Sequence, residues 1–157
     1  MSTTEQSVTL VDVKATEQIG ARLAQKLTSM YPPFMVYLTG DLGAGKTTLV
    51  RGFLQALGFK QTVKSPSYTL VETYDLDDKF IVHCDLYRLT DSEELTFMGF
   101  SDYLTKPAIV FIEWPEHGDG CLPKPDLEIR MEESGSGKQL YLTCVSKRAQ
   151  SLTDQWL

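Results

Sequence analysis

No stretch of this sequence approaches the roughly 18 consecutive apolar residues that a membrane span requires. Nor is there a basic excess of the kind that holds a polyphosphate backbone. The 15 Lys+Arg are outnumbered by 21 Asp+Glu, giving a net charge of −6. A dedicated nucleic-acid binder is therefore not expected, beyond a small basic patch in the first third. Cysteine and histidine are sparse. Cys84, Cys121, Cys144, His83 and His117 show no CxxC or HxxxH spacing, so a zinc site is not expected. The adjacent His83 and Cys84 do not suggest a nucleophile pair, because neighbours on a strand point to opposite faces. Met1 to Gln6 is polar, with neither a basic start nor an apolar core. It does not read as a signal peptide, and the expected location is cytoplasmic.

What is present suits one soluble domain spanning residues 1–157. The chain has 157 residues, 42% hydrophobic and 23% charged, enough to bury a core without disulfides or metal staples. The acidity is local. Met1 to Lys64 holds 7 basic and 4 acidic residues, Ser65 to Glu116 holds 3 and 11, and His117 to Leu157 holds 5 and 6. No internal repeat or low-complexity linker interrupts the chain.

Hydrophobic patterning predicts the elements. Ser7 to Val13 reads as a short edge strand. From Thr16 to about Met30, Ile19, Leu23 and Leu27 recur at helical spacing, with Thr16 as the expected N-cap and Tyr31-Pro32-Pro33 as the stop. Phe34 to Thr39 (FMVYLT) and Ala108 to Ile112 (AIVFI) are wholly apolar runs, the signature of strands buried on both faces. Thr47 to Leu57 reads as a helix closed by Gly58. Tyr68 to Asp75 and Phe80 to Leu86 read as a hairpin around Leu76 to Lys79. Thr90 to Glu93 has the capping-box pattern of a short helix, and Gly99 to Thr105 suggests another. Asp126 to Glu132 and Gln139 to Val145 flank Ser134-Gly135-Ser136-Gly137 and suggest a closing hairpin. The tail from Ser146 is expected to be helical. Apolar strands alternating with helices predict an α/β fold. The expected form is a P-loop NTPase-like three-layer fold, with a mostly parallel central sheet, antiparallel additions and flanking helices.

The chemistry is concentrated in Gly40-Asp41-Leu42-Gly43-Ala44-Gly45-Lys46-Thr47, which matches GxxxxGK[ST]. Glycines let the backbone curl so that its N–H groups converge on phosphate oxygens. The following helix offers its N-terminus to the same anion, and Thr48 extends that first turn. Lys46 supplies positive charge to the β/γ-phosphates, and the Thr47 hydroxyl is a magnesium ligand. The pattern has its required context, a buried-type strand before it and a helix after it. Such a site needs a carboxylate at the end of a neighbouring apolar strand. Asp85 and Glu113 both meet that description, at the end where α/β sheets bind ligands. The sequence contains no asparagine, so the Asn-Lys-x-Asp element of guanine-specific switches is missing and ATP is favoured.

These segments together resemble the TsaE (YjeE) family of bacterial P-loop ATPases in tRNA threonylcarbamoyladenosine biosynthesis. The resemblance runs through GDLGAGKTTL (Gly40 to Leu49), VKSPSYTLVE (Val63 to Glu72), HCDLYRL (His83 to Leu89), DSEELTFMG (Asp91 to Gly99), IEWPEHG (Ile112 to Gly118) and Leu122-Pro123. It implies ATP and Mg²⁺ as cofactors, with Thr47 and Glu113 on the metal. It implies Asp85 as a second-switch acid needed for hydrolysis, and Ser65 to Thr69 as a first switch in which Thr69 senses the γ-phosphate. It places Trp114 and Glu116 near the nucleotide. It further implies a weak ATPase that acts through the TsaB–TsaD complex, and on tRNA through that complex, away from any membrane. The alternative is a small P-loop nucleotide or metabolite kinase. Such kinases gather arginines over the phosphates, whereas Arg88 is the one arginine between Ser65 and Glu116.

Overall fold

The computed structural model describes residues 4–41 and 43–150. The chain order is β1 (Thr4–Leu10), α1 (Val13–Leu27), β2 (Phe34–Thr39), α2 (Lys46–Ala56), β3 (Val71–Leu76), β4 (Lys79–Asp85), α3 (Glu93–Phe97), α4 (Phe100–Tyr103), β5 (Ala108–Glu113), a 3-10 turn (Pro115–Gly118), β6 (Leu127–Ser134), β7 (Gly137–Cys144) and α5 (Lys147–Gln150). The strands form one sheet in the order β1-β7-β6-β2-β5-β4-β3. Its centre, β6-β2-β5-β4, is parallel. Both flanks are antiparallel: β3 folds back on β4, and β7 and β1 extend from β6. The expected mostly parallel sheet is thus parallel only at its centre, because two-residue turns, Asp77-Asp78 and Gly135-Ser136, return the chain antiparallel at each side.

The apolar runs became β2 and β5, side by side, and each feeds two cores. Phe34, Val36, Leu38, Ile109 and Phe111 join the cluster under α1 and α2. Met35, Ala108, Val110 and Ile112 join the cluster that includes Leu95 of α3 and Phe100 of α4. Helices therefore cover both faces, and strands buried on both faces carry no polar alternation. Among the described residues, no helix is long and apolar enough to cross a membrane.

Several boundaries differ from the sequence expectation. The N-cap of α1 is Asp12, whose carboxylate accepts from the Ala15 N–H at 2.8 Å. Thr16, the expected cap, is buried inside the helix. The segment from Tyr68 to Leu70, read as strand, is turn. Leu70 sits at φ 68°, and its N–H donates to the Pro66 carbonyl at 2.8 Å. The expected capping box at Thr90 and Glu93 is replaced by other pairs. Asp91 accepts from the Glu93 N–H at 2.9 Å, and the Thr90 hydroxyl donates to Glu94 at 2.8 Å. In the expected helical tail, α5 covers Lys147–Gln150, and the rest lies outside the described residues.

Two glycines set the position of α2. A Cβ on Gly20 would stand 2.2 Å from the Leu49 carbonyl oxygen, and one on Gly52 would stand 2.2 Å from the Glu17 carbonyl oxygen. Both obstacles are backbone, so α1 and α2 are in direct main-chain contact. Gly20→Ala is expected to destabilise the protein by about 1–3 kcal/mol through overpacking, despite the better helix propensity of alanine. A denaturant midpoint equal to or above the wild-type value would contradict this packing.

Candidate functional site

At the carboxyl end of β2 the chain turns through Gly40, Gly43 and Gly45, whose φ values are 137°, 80° and 107°. These lie in the region glycine tolerates and other residues rarely adopt. Side chains are excluded at Gly40 for a second reason, since a Cβ there would stand 2.4 Å from the Met131 carbonyl oxygen. The loop is held by the Ala44 N–H to the Asp41 carbonyl at 3.1 Å, and by Lys138, whose ammonium donates to the Gly43 carbonyl. Gly45 is the N-cap of α2 and provides no side-chain cap. The opening N–H groups of a helix lack intrahelical acceptors, so this terminus has donors and partial positive charge to offer an anion.

In front of it lies a cavity of about 250 Å³ lined by Gly43, Gly45, Lys46, Thr47, Thr48, Ser65, Ser67, Asp85 and Glu113. Strand register explains the acids. β4 and β5 are parallel with Asp85 beside Glu113, so both strands deliver a carboxylate at the same level. The Thr47 hydroxyl donates to Glu113 Oε2 at 3.2 Å. Lys46, Asp85 and Glu113 are 4%, 3% and 3% exposed. Lys46 Nζ donates to the Gly40 carbonyl at 2.5 Å and lies 4.3 Å from the centre of the Trp114 ring. Burial lowers the Lys46 pKa, while the carboxylates of Glu113, Asp85, Glu116 and Asp41 oppose that shift.

One ammonium beside the two lining carboxylates, Asp85 and Glu113, is a poor receptor for a bare polyphosphate. It is a good one for a polyphosphate that arrives with a divalent cation. The donor set fits magnesium: a hydroxyl and a carboxylate in mutual contact are hard oxygen ligands, and Mg²⁺ usually takes few protein ligands beside phosphate oxygens. Among the described residues, no group of three His, Cys, Asp or Glu side chains forms a self-sufficient metal cage.

The remaining expected residues are placed as follows. Trp114 adopts φ 57°, unusual for a bulky residue, and contacts Tyr87 at 5.1 Å and His117 at 5.6 Å between ring centres. It touches the site through Lys46. Glu116 is exposed and acts on Lys46 through its charge. Thr69 is exposed and its hydroxyl donates to Glu72 at 3.0 Å, away from the cavity lining. Ser65 and Ser67 supply the hydroxyls of that segment instead. Leu42 lies outside the described residues. His83, to which the sequence gives no role in the site, has its Nε2 2.6 Å from Glu113 Oε2. Its spacing two residues before Asp85 was the available signal, since such positions share a strand face.

The two acidic strand ends are coupled to the loop of Ser65 to Leu70. The Asp85 N–H donates to the Leu70 carbonyl at 2.9 Å, and the Leu86 N–H to the Glu113 carbonyl at 3.0 Å. Asp85 Oδ1 accepts from the Tyr87 N–H at 3.0 Å. Burial pushes the Asp85 carboxyl above its ordinary 3.8, and Glu113 adds to the rise; the Tyr87 N–H, His83 and Lys46 oppose it. The folded protein therefore holds this proton more tightly than the unfolded chain. That contribution is fully present below pH 3.8 and is lost as pH rises through the raised folded value. At neutral pH the buried charge is a cost that Asp85→Asn removes while keeping an acceptor for Tyr87. The variant is expected to be more stable by about 1 kcal/mol, or roughly 2–4 °C, with the gain shrinking as the pH falls. A gain independent of pH, or a loss, would contradict this reading.

The family described as Threonylcarbamoyl adenosine biosynthesis protein TsaE matches residues 10–140. The tRNA threonylcarbamoyladenosine biosynthesis protein TsaE of Haemophilus influenzae is 47% identical over 127 residues, covering 80% of each chain. Its namesake from Bacillus subtilis is 32% identical over 133 residues, covering 83% of each. Among solved structures, the crystal structure of Bacillus subtilis YdiB superimposes with a TM-score of 0.81 at 25% identity, covering 99% of this chain and 96% of that one.

Proposed function

This chain belongs to the TsaE family, and from that premise we propose that it is an ATP-binding and ATP-hydrolysing factor. It supports threonylcarbamoyladenosine modification of tRNA in the cytoplasm through the TsaB–TsaD complex. The observation that carries the reading is the convergence of Lys46, Thr47, Asp85 and Glu113 on one cavity at the mouth of a glycine loop. The arrangement supports a P-loop NTPase-like fold with ATP and Mg²⁺ as its ligands.

In this reading the N-terminus of α2 and Lys46 take the β/γ-phosphates. Thr47 and Glu113 hold the metal, which when bound offsets the negative charge of phosphate and carboxylates together. Asp85, held by the Tyr87 N–H, orients the attacking water or accepts its proton. Ser65 and Ser67 face the γ-phosphate end. An adjoining cavity of about 260 Å³ shares Gly43, Gly45 and Thr48 with the first and is flanked by Leu10, Val11 and Val13. It suits the nucleoside. The acidic chain favours a protein partner over direct tRNA contact. Against the small-kinase reading stands the scarcity of arginine, since Arg88 lies 4.3 Å over the Tyr68 ring.

The test is calorimetric titration of ATP in magnesium and in EDTA. Binding should be tighter with the metal, and Thr47→Ala should lose more affinity in magnesium than in EDTA. Equal losses in both would contradict a ligand role for Thr47.

A further inference from the structure

His83 lies in the middle of the molecule with its side chain 0% exposed. Its neighbour Cys84 joins the apolar cluster on the α3/α4 side of the sheet. His83 therefore shares the opposite face with Asp85, and the register sets it beside Phe111, two residues before Glu113. Its Nε2 lies 2.6 Å from Glu113 Oε2. A carboxylate only accepts, which assigns the proton to Nε2. Nδ1 is buried and has no partner among the described residues. The other tautomer would bury an unpaired N–H there and turn a lone pair onto the carboxylate, and both changes are costly.

The Thr47 hydroxyl reaches the same Oε2 at 3.2 Å. Glu113 is thus held by one oxygen from two sides, and among the described residues no hydrogen bond engages Oε1. A buried histidine with one idle nitrogen is a poor choice for stability alone, since an apolar side chain would fill the same space without an orphaned polar atom. It is a good choice for fixing the orientation of a carboxylate. We propose that His83 is a positioning residue for the metal ligand Glu113, holding Oε2 so that Oε1 is presented to the cation. This rests on the Mg²⁺-ATP reading of the cavity and adds a residue to it. The partners of a metal ligand commonly change metal affinity by about 10–100-fold when removed.

The experiment uses Mn²⁺ as the probe, with free Mn²⁺ counted by electron paramagnetic resonance in the presence of a saturating non-hydrolysable ATP analogue. Wild type, His83→Phe and His83→Gln are compared, and analogue affinity in EDTA is measured for each. His83→Phe should bind Mn²⁺ about 10–100-fold more weakly with its EDTA affinity unchanged. His83→Gln keeps an N–H near the Nε2 position and should recover most of the loss. In a Glu113→Gln background, removing His83 should cost little more. Wild-type Mn²⁺ affinity in His83→Phe would overturn the proposal. So would an equal loss in EDTA, which marks a merely structural role. If His83→Phe does not fold, His83→Met against His83→Gln reads the same contrast at similar side-chain length. A wild-type protein whose analogue binding ignores Mn²⁺ would overturn the Mg²⁺-ATP reading itself. That result differs from a wild-type metal dependence that loss of His83 leaves intact.

Discussion

Lys46→Ala is expected to remove nearly all ATP affinity while leaving the fold intact. Lys46 is 4% exposed, and the present partners of its ammonium are a carbonyl and an aromatic face. Neither is a counter-ion, so phosphate oxygens would give it the stronger, charge-assisted contacts. Truncating one partner of a buried charge pair costs about 2–5 kcal/mol, or roughly 30-fold to several thousand-fold in affinity. The loss is compounded here, because the lining carboxylates of Glu113 and Asp85 would face the phosphates without the Lys46 charge beside them. Calorimetry reads the outcome directly, and unchanged binding would end the phosphate-site assignment.

Asp85→Ala is expected to do the opposite, sparing ATP binding and cutting hydrolysis. Asp85 carries a raised pKa because it is buried; its N–H donates to the Leu70 carbonyl and its Oδ1 accepts from the Tyr87 N–H. A carboxylate so placed is costly to keep unless it does chemistry. General-base assistance contributes about 10²–10⁴-fold, and single-turnover hydrolysis should fall by that order. Glu113→Ala should instead weaken Mg²⁺-ATP binding. The reverse pattern would exchange the two roles.

Much of this was legible in the residues. Phe34 to Thr39 announced a strand buried on both faces, and GxxxxGK[ST] after it announced the loop and α2. Asp85 and Glu113 could be picked out because each ends an apolar run, though their equal height came only from the register of β4 and β5. Other features depend on tertiary context. Tyr68-Thr69-Leu70 has strand composition, yet the chain turns there and Leu70 takes a left-handed conformation. Asp12 displaced Thr16 as the cap because Thr16 is needed in the core beneath α1. The 3-10 turn after Trp114 was not foreseen, and it sets the ring against Lys46. His83 looked like an ordinary core residue because nothing local ties it to Glu113, 30 positions away.

The turn from Ser65 to Leu70 and the segment from Asp85 to Tyr87 are joined beside the cavity by the hydrogen bond from the Asp85 N–H to the Leu70 carbonyl. Reordering of one by a γ-phosphate would be felt by the other, and a partner surface could use the same coupling. Binding linkage is reciprocal, so ATP should favour assembly if assembly favours the ATP state. The most direct measurement is steady-state phosphate release as the cognate TsaB–TsaD complex is titrated in, with Asp85→Ala as the blank. Release should be slow for the protein alone, rise saturably with the complex, and not rise in the variant. A flat titration, with binding to the complex indifferent to nucleotide, would contradict this expectation.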